Sequence, residues 1–385
     1  MFLTKLKENN PALLDFGFYA HQNGLILPDT YLLDLDTITD NAQKILEEAK
    51  KNQVHLFFML KQIGRNPIVA KRLMEIGYEG AVCVDFIEAI TMIRNQIPIG
   101  NVGHLVQTPK AALPEILASH PRVVTVYSLE KIREINEAAE RLNMVQPLLI
   151  RITDDDSELY SGQIAGFHSD RLEDVLKEID SLDHVCFGGL TVFPALLYDA
   201  EQHAIVPTAN MKAMNRARAV AEAYGLKDYV VNVPSANCCA SMSLVHELGG
   251  NNAEPGHGLT GTTPLHAASN QPERVGYAYV TEVSHNYEDH AYCYGGGHYR
   301  RGHLASALVG TSSENAQLIP VSAPDNDSID YHFELGRNAA VGDTAIMCFR
   351  TQIFVTRSRV AVVEGLSSGN PRIIGQFNHL GERED

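Results

Sequence analysis

From about Thr30 to Leu259, short unbroken apolar runs alternate with longer stretches whose apolar residues fall at helical spacing. The runs are Tyr31-Leu-Leu-Asp-Leu, Leu56-Phe-Phe-Met-Leu, Gly80-Ala-Val-Cys-Val, Val102-Gly-His-Leu-Val, Val123-Val-Thr-Val-Tyr, Leu148-Leu-Ile-Arg-Ile, Gly189-Leu-Thr-Val-Phe and Tyr229-Val-Val-Asn-Val. A strand covered on both faces has this unbroken character. Between the runs, residues 41–51, 129–142 and 211–224 carry the periodicity of amphipathic helices. Strand then helix, repeated eight times, predicts an α/β chain folded as a (β/α)8 TIM barrel. An open doubly wound sheet is the alternative, but no GxGxxG follows the first run.

The pattern changes near residue 262. Residues 275–283, 291–297, 305–309, 346–356 and 360–366 read as strands, separated by Gly, Asn, Asp and Ser clusters such as Asp325-Asn-Asp-Ser. The expected organisation is a barrel over residues 1–262 and a C-terminal all-β domain over residues 263–385. The placement of residues 1–29 is left open.

Composition removes several classes. The chain has 385 residues, 31 Lys+Arg against 47 Asp+Glu, a formal net charge of −16 and no Trp. An acidic chain without a basic stripe is a poor nucleic-acid binder. No run of 18 apolar residues occurs, so no membrane-spanning helix is expected. The first ten residues are mixed and charged, without the apolar core of a secretory leader. Cysteines at 83, 186, 238, 239, 293 and 348 form no CxxC, which points to reduced thiols and a cytoplasmic protein.

Three places could carry chemistry. Lys61 follows the run ending at Leu60, and barrel sites gather at the C-terminal ends of strands. A lysine partly desolvated there presents a neutral amine suited to Schiff-base chemistry, although a lysine leaving a strand for solvent has the same address. The stretch Glu254-Pro-Gly-His-Gly-Leu-Thr-Gly lets backbone approach an anion such as phosphate, or is a flexible interdomain link. Pro234-Ser-Ala-Asn-Cys-Cys-Ala ends the last run. Ser235 and Asn237 there suit a helix N-terminus that caps itself or holds phosphate.

Together with Leu32-Leu-Asp-Leu-Asp, Phe58-Met-Leu-Lys-Gln-Ile-Gly-Arg-Asn-Pro, Glu254-Pro-Gly-His-Gly-Leu-Thr-Gly-Thr-Thr-Pro, Cys293-Tyr-Gly-Gly-Gly-His-Tyr-Arg-Arg-Gly and Phe349-Arg-Thr-Gln-Ile-Phe-Val-Thr-Arg, these features resemble the fold-type III enzymes that depend on pyridoxal 5'-phosphate. The nearest resemblance is to the alanine racemase-like family, in its YhfX-type branch, along essentially the whole chain. It implies that Lys61 forms the internal aldimine with the coenzyme. It places Arg65 where alanine racemases have a phosphate-binding tyrosine, and Phe193 near a histidine that covers the coenzyme ring. Ser235, Asn237, Gly256 and His257 match the phosphate cradle, and Thr351 and Gln352 fall near a β-domain residue that reaches the phosphate. The family also implies a homodimer with shared active sites. The second base then comes from the partner's β domain, where Tyr294 and His285 are the candidates.

Three departures shape the expected reaction. Glu254 replaces the arginine that alanine racemases set opposite the pyridine nitrogen. A carboxylate keeps that nitrogen protonated, and a protonated ring is the stronger electron sink. The substrate-orienting arginine before a Gly-Phe pair is absent from Gly162-Gln-Ile-Ala-Gly-Phe, so the resemblance does not extend to free alanine as substrate. The place where D-threonine aldolases and D-serine dehydratases hold a metal pair reads Met347-Cys-Phe-Arg-Thr-Gln, and no metal is expected. The expected activity is a pyridoxal-phosphate-dependent isomerase, an amino-acid racemase or epimerase that abstracts the Cα proton. The alternatives are a non-catalytic coenzyme-binding protein, and a lyase or decarboxylase of a D- or hydroxy-amino acid.

Overall fold

Eight short parallel strands close on themselves in the computed structural model, which describes residues 2–385. The first is His55–Leu56 with Phe58–Met59, interrupted at Phe57. The others are Ala81–Cys83, Ile99–Val102, Val123–Val126, Gln146–Arg151, Val185–Thr191, Val230–Asn232 and Asn252–Ala253. The ring shuts because Asn252 and Ala253 pair in parallel with His55 and Leu56, while Phe58 and Met59 pair with Ala81 and Val82. Three of these strands, Ala81–Cys83, Ile99–Val102 and Val123–Val126, are buried at every position. Their side chains fill the barrel or meet the helices outside it, so no polar alternation is needed.

The crossover helices follow from local signals. Leu129–Arg141 begins where the Ser128 hydroxyl accepts the Lys131 N–H. It buries Ile132, Ile135, Ala138 and Ala139, an inward stripe at helical spacing. Asp85 caps Phe86–Arg94 in the same way. Gly189, at φ 152°, lets the sixth and seventh strands approach, since a Cβ there would sit 2.1 Å from the Val230 carbonyl oxygen.

A second, antiparallel barrel forms from Tyr277–Tyr287, His290–Tyr294, His332–Leu335, Gln317–Ser322, Ser306–Gly310 and Thr344–Met347. Beyond Tyr277–Tyr287 the sheet continues through Thr30–Asp34, then Arg359–Glu364 in parallel, then Arg372–Phe377. The run at Tyr31 is therefore not a barrel strand, contrary to its reading as the first of eight. The true eighth barrel strand is Asn252–Ala253. Lys61 accordingly follows the first barrel strand, and Ser235 follows the seventh. The strand expected over residues 346–356 ends at Met347, and the chain passes through a 3-10 turn at Ile353–Val355.

The residues before Thr30 form the helices Leu3–Asn9 and Pro11–Gln22, which pack on this second sheet. His21 bonds Thr344 at 2.7 Å and Glu282 at 3.1 Å, and Gly17 lies so close to Ile346 that a Cβ would be 2.9 Å from its Cδ1. The chain thus divides differently from the expected cut between residues 262 and 263. One unit holds the chain up to Lys44 with Lys61–Val69 and His257–Asp385, and the other holds Ile45–Leu60 with Ala70–Gly256.

Candidate active site

Glu254 directly follows the eighth barrel strand and is 3% exposed. Its Oε1 accepts the amides of Asn101 and Asn232, each at 2.9 Å. Asn101 is oriented by the Thr125 hydroxyl, which donates to its Oδ1 at 2.7 Å. Asn232 is oriented by Asn252, which donates to its Oδ1 at 2.9 Å, and by Thr191, which accepts from it at 3.1 Å. Five barrel strands thus supply a polarised chain of buried polar groups whose N–H ends converge on one carboxylate oxygen. The other oxygen, Oε2, lies 3.8 Å from His104 Nε2.

His104 follows the third barrel strand and is fully buried. Its ring meets the Phe193 ring edge-on at 5.1 Å, and Tyr160 meets Phe193 at 5.9 Å. Phe193 precedes a cis peptide bond to Pro194. It therefore lies in one aromatic group with the histidine beside Glu254.

Ser235 and Asn237 act on backbone. The Ser235 hydroxyl accepts from the N–H groups of Ala195 and Leu196 and donates to the Leu196 carbonyl at 2.8 Å. Ser235 and Ala236 both have positive φ, at 78° and 49°. Asn237 donates to the Val233 carbonyl and accepts the Glu254 N–H at 3.0 Å, which fixes the carboxylate's backbone. Gly256 is buried, next to Pro255, whose carbonyl accepts the Met59 N–H.

In the other unit, Lys61 opens a 3-10 turn over Lys61–Ile63 and is half-buried. Gly64 and Arg65 follow with φ of 65° and 55°, and Asn66 accepts the N–H groups of Ile68 and Val69. The Arg65 guanidinium is buried over the Phe354 ring at 5.4 Å, and its charge helps burial depress the pKa of His379. His257 Nε2 accepts from Arg350 Nε and Gln352 Nε2, each at 3.3 Å. Arginine can only donate, so the proton of His257 sits on Nδ1, 3.4 Å from the Thr262 hydroxyl. Burial, then the charges of Arg350 and Lys61, hold the His257 pKa well below the usual histidine value. Lys61, Arg350, Gln352 and a neutral His257 thus form one cluster. Thr351 is not part of it, being fully buried beside the Tyr31 hydroxyl.

Tyr294 and His285 lie on the outer face of the antiparallel barrel. His285 stacks on Tyr292 at 5.0 Å, and His332 meets both His285 and Tyr294. Among the described residues, no group of three His, Cys, Asp or Glu side chains is placed to hold a metal ion.

Comparison with known proteins fits this geometry. Residues 33–264 match the family model of the alanine racemase N-terminal domain, and residues 278–373 match that of the YhfX-like C-terminal domain. The YhfX protein of Escherichia coli (strain K12), itself uncharacterized, is 40% identical over 383 residues, 99% of either chain. The chain belongs to the alanine racemase-like family of fold-type III pyridoxal-phosphate-dependent enzymes, in its YhfX-type branch. Among solved structures, a D-threonine aldolase from Filomicrobium marinum superposes with a TM-score of 0.66 at 17% identity, over 91% of this chain and 95% of its own. Alanine racemase from Clostridium difficile 630 gives 0.65 at 16%, over 92% and 99%. Diaminopimelate decarboxylase from M. jannaschii gives 0.65 at 14%, over 95% and 92%. At these identities the structures share the fold with this family member, and the fold carries more than one reaction.

The sequence does not single out Asn101, His104, Asn232 or Arg350. The first three share one signal: each is a polar residue within or just after an otherwise apolar barrel strand. Arg350 was visible inside the Phe349-Arg-Thr-Gln motif but was given no role.

Proposed function

We propose that the protein is a pyridoxal-phosphate-dependent enzyme that moves the Cα proton of an amino acid, as a racemase or epimerase does. The observation that carries this reading is the buried Glu254 carboxylate, oriented by Asn101 and Asn232. Bound coenzyme supplies an electron sink for negative charge at Cα. The residues fit it on two counts. Glu254 is a buried carboxylate suited to hold a proton on a pyridine nitrogen. Lys61 is an amine in a cationic cluster with Arg350, where a phosphorylated group finds donors.

In this reading Lys61 Nζ holds the coenzyme and moves the proton on one face of Cα. Tyr294 or His285 of a second copy moves it on the other, because inversion requires a group on each face. The exposed Tyr and His side chains around His285, Tyr294 and His332 offer the surface for that second copy. The backbone N–H groups at Gly256 and His257, with Gln352, bind the phosphate. A cytoplasmic location suits six cysteines that form no disulfide. No helix among the described residues is long and apolar enough to cross a membrane.

The test is direct. Protein purified with pyridoxal phosphate should absorb in the visible and be fixed by borohydride, and Lys61→Ala should lose both. Incubation with candidate amino acids in deuterated water should exchange the Cα proton. A protein that never takes up the coenzyme ends the proposal, and one that takes it up without any exchange reduces it to a binding protein.

A further inference from the structure

Arg151 ends the fifth barrel strand, at the edge of the barrel where strand C-termini gather functional groups. It is among the largest fully buried side chains of the protein, at 1% exposure. Its guanidinium donates to the carbonyl oxygens of His104, at 3.4 Å, and Gln163, at 2.8 Å, and lies over the Tyr127 ring at 5.6 Å. Among the described residues no Asp or Glu carboxylate pairs with it, and Tyr127 is the titratable neighbour that acts on it. A buried permanent cation held by carbonyl dipoles and a ring is an incomplete arrangement, since buried charges are ordinarily matched by an opposite one. Two of its five N–H donors are committed to the carbonyls, and its planar fork suits a carboxylate.

The loop after the strand is pinned to the strand's backbone and touches this side chain through the Gln163 carbonyl. Phe167 returns to donate its N–H to the Arg151 carbonyl at 2.8 Å, and Ser169 and Arg216 clamp Asp154. This is the segment Gly162-Gln-Ile-Ala-Gly-Phe that lacks a substrate-orienting arginine. In its place the loop presents the Gln163 carbonyl, which steadies a guanidinium rising from the strand. The same guanidinium bonds the backbone of His104, whose ring stands 3.8 Å from Glu254 Oε2.

We propose that Arg151 is the receptor for the carboxylate of the amino-acid substrate, delivered from the barrel strand and not from the loop. The inference rests on the coenzyme reading for the identity of the ligand. Its site, however, is drawn from the barrel unit alone. Its consequence is a substrate recognised by its carboxylate, so that a simple amine of similar size binds no better to the native protein than to a variant without this charge.

The experiment compares native protein, Arg151→Met and Arg151→Lys, each incubated with pyridoxal phosphate. Acetate and ethylamine are titrated separately, and the change in coenzyme absorbance gives the apparent Kd. Acetate should bind native protein saturably, at least about tenfold more weakly to Arg151→Met, and at an intermediate level to Arg151→Lys. Ethylamine should bind all three alike. Equal acetate affinity in native protein and Arg151→Met overturns the inference, as does an absence of acetate binding to native protein. So does a coenzyme spectrum already shifted in Arg151→Met before acetate is added with an unchanged acetate titration, which would assign the guanidinium to the coenzyme itself. Acetate-dependent melting temperature gives the same comparison without coenzyme. Failure to take up pyridoxal phosphate therefore ends the coenzyme reading, while loss or persistence of the acetate effect decides the role of Arg151.

Discussion

His104 Nε2 stands 3.8 Å from Glu254 Oε2, and neither side chain reaches solvent. In a buried setting this places a titratable ring beside the carboxylate whose other oxygen is already held by two amides. Replacing His104 by Phe keeps the edge contact to Phe193 but removes the ring nitrogens. At 3.8 Å the ring nitrogen is beyond hydrogen-bond distance but within reach of the carboxylate's charge, so its loss should lower Cα exchange about tenfold, the scale of roughly 1.4 kcal/mol, and alter the pH profile of exchange. A profile identical to that of the native protein would reduce His104 to packing.

Glu254→Gln is the sharper test of the same site. The amide oxygen can still accept from Asn101 and Asn232, so thermal stability should stay near native. The charge opposite the ring nitrogen is gone. Coenzyme should still be taken up, with a shifted absorbance, while exchange falls on the order of 10²–10³, the scale seen when one charge-stabilising group is removed from an active site. Unchanged exchange would show that the ring nitrogen is served elsewhere.

Much of this was legible in the sequence, and the failures have local causes. Seven of the eight apolar runs are barrel strands. The run at Tyr31 has the same character because Thr30–Asp34 is buried at all five positions inside the other sheet. A strand covered on both faces looks alike in either setting. Asn252–Ala253 escaped because two residues, one of them polar, carry no period. Lys61 and Glu254 could be singled out as candidates because each follows a strand in a recognisable motif. Ser235 was correctly placed at a strand end, but its hydroxyl is engaged by Ala195 and Leu196, a contact made through a cis-Pro turn that no local pattern announces.

Gly189→Ala tests the barrel closure. The backbone there sits at φ 152°, and a methyl group would stand 2.1 Å from the Val230 carbonyl oxygen, with no flexible side-chain end to give way. Overpacking with backbone strain predicts a loss of about 3 kcal/mol or more. Urea unfolding should show a lower midpoint. A midpoint within error of native would mean that the sixth and seventh strands can separate without penalty.

Asp29 supplies a prediction with a definite pH sign. Its Oδ1 accepts from the Tyr279 hydroxyl at 2.9 Å and from the Ser358 hydroxyl, and a Cβ on Gly296 would come 2.0 Å from its Oδ2. Burial pushes its pKa up from 3.8 to about 6; the two hydroxyls and Arg357 oppose the shift, and Asp330 adds to it. The folded chain therefore holds this proton more tightly than the unfolded chain does. Between about pH 4 and about pH 6 the native state binds the extra proton, so stability from this group falls as pH rises through that window and is level beyond it. A shift of about two units corresponds to roughly 3 kcal/mol. Asp29→Asn keeps an oxygen for both hydroxyls and cannot titrate. The stability of native protein minus that of Asp29→Asn, from urea unfolding, should therefore drop by roughly 2.4 kcal/mol from about pH 4 to about pH 7, the rest of the full effect being lost below pH 4. Other groups titrate equally in both proteins and cancel. A flat difference across that range would show that the carboxyl is as well solvated in the fold as in the open chain.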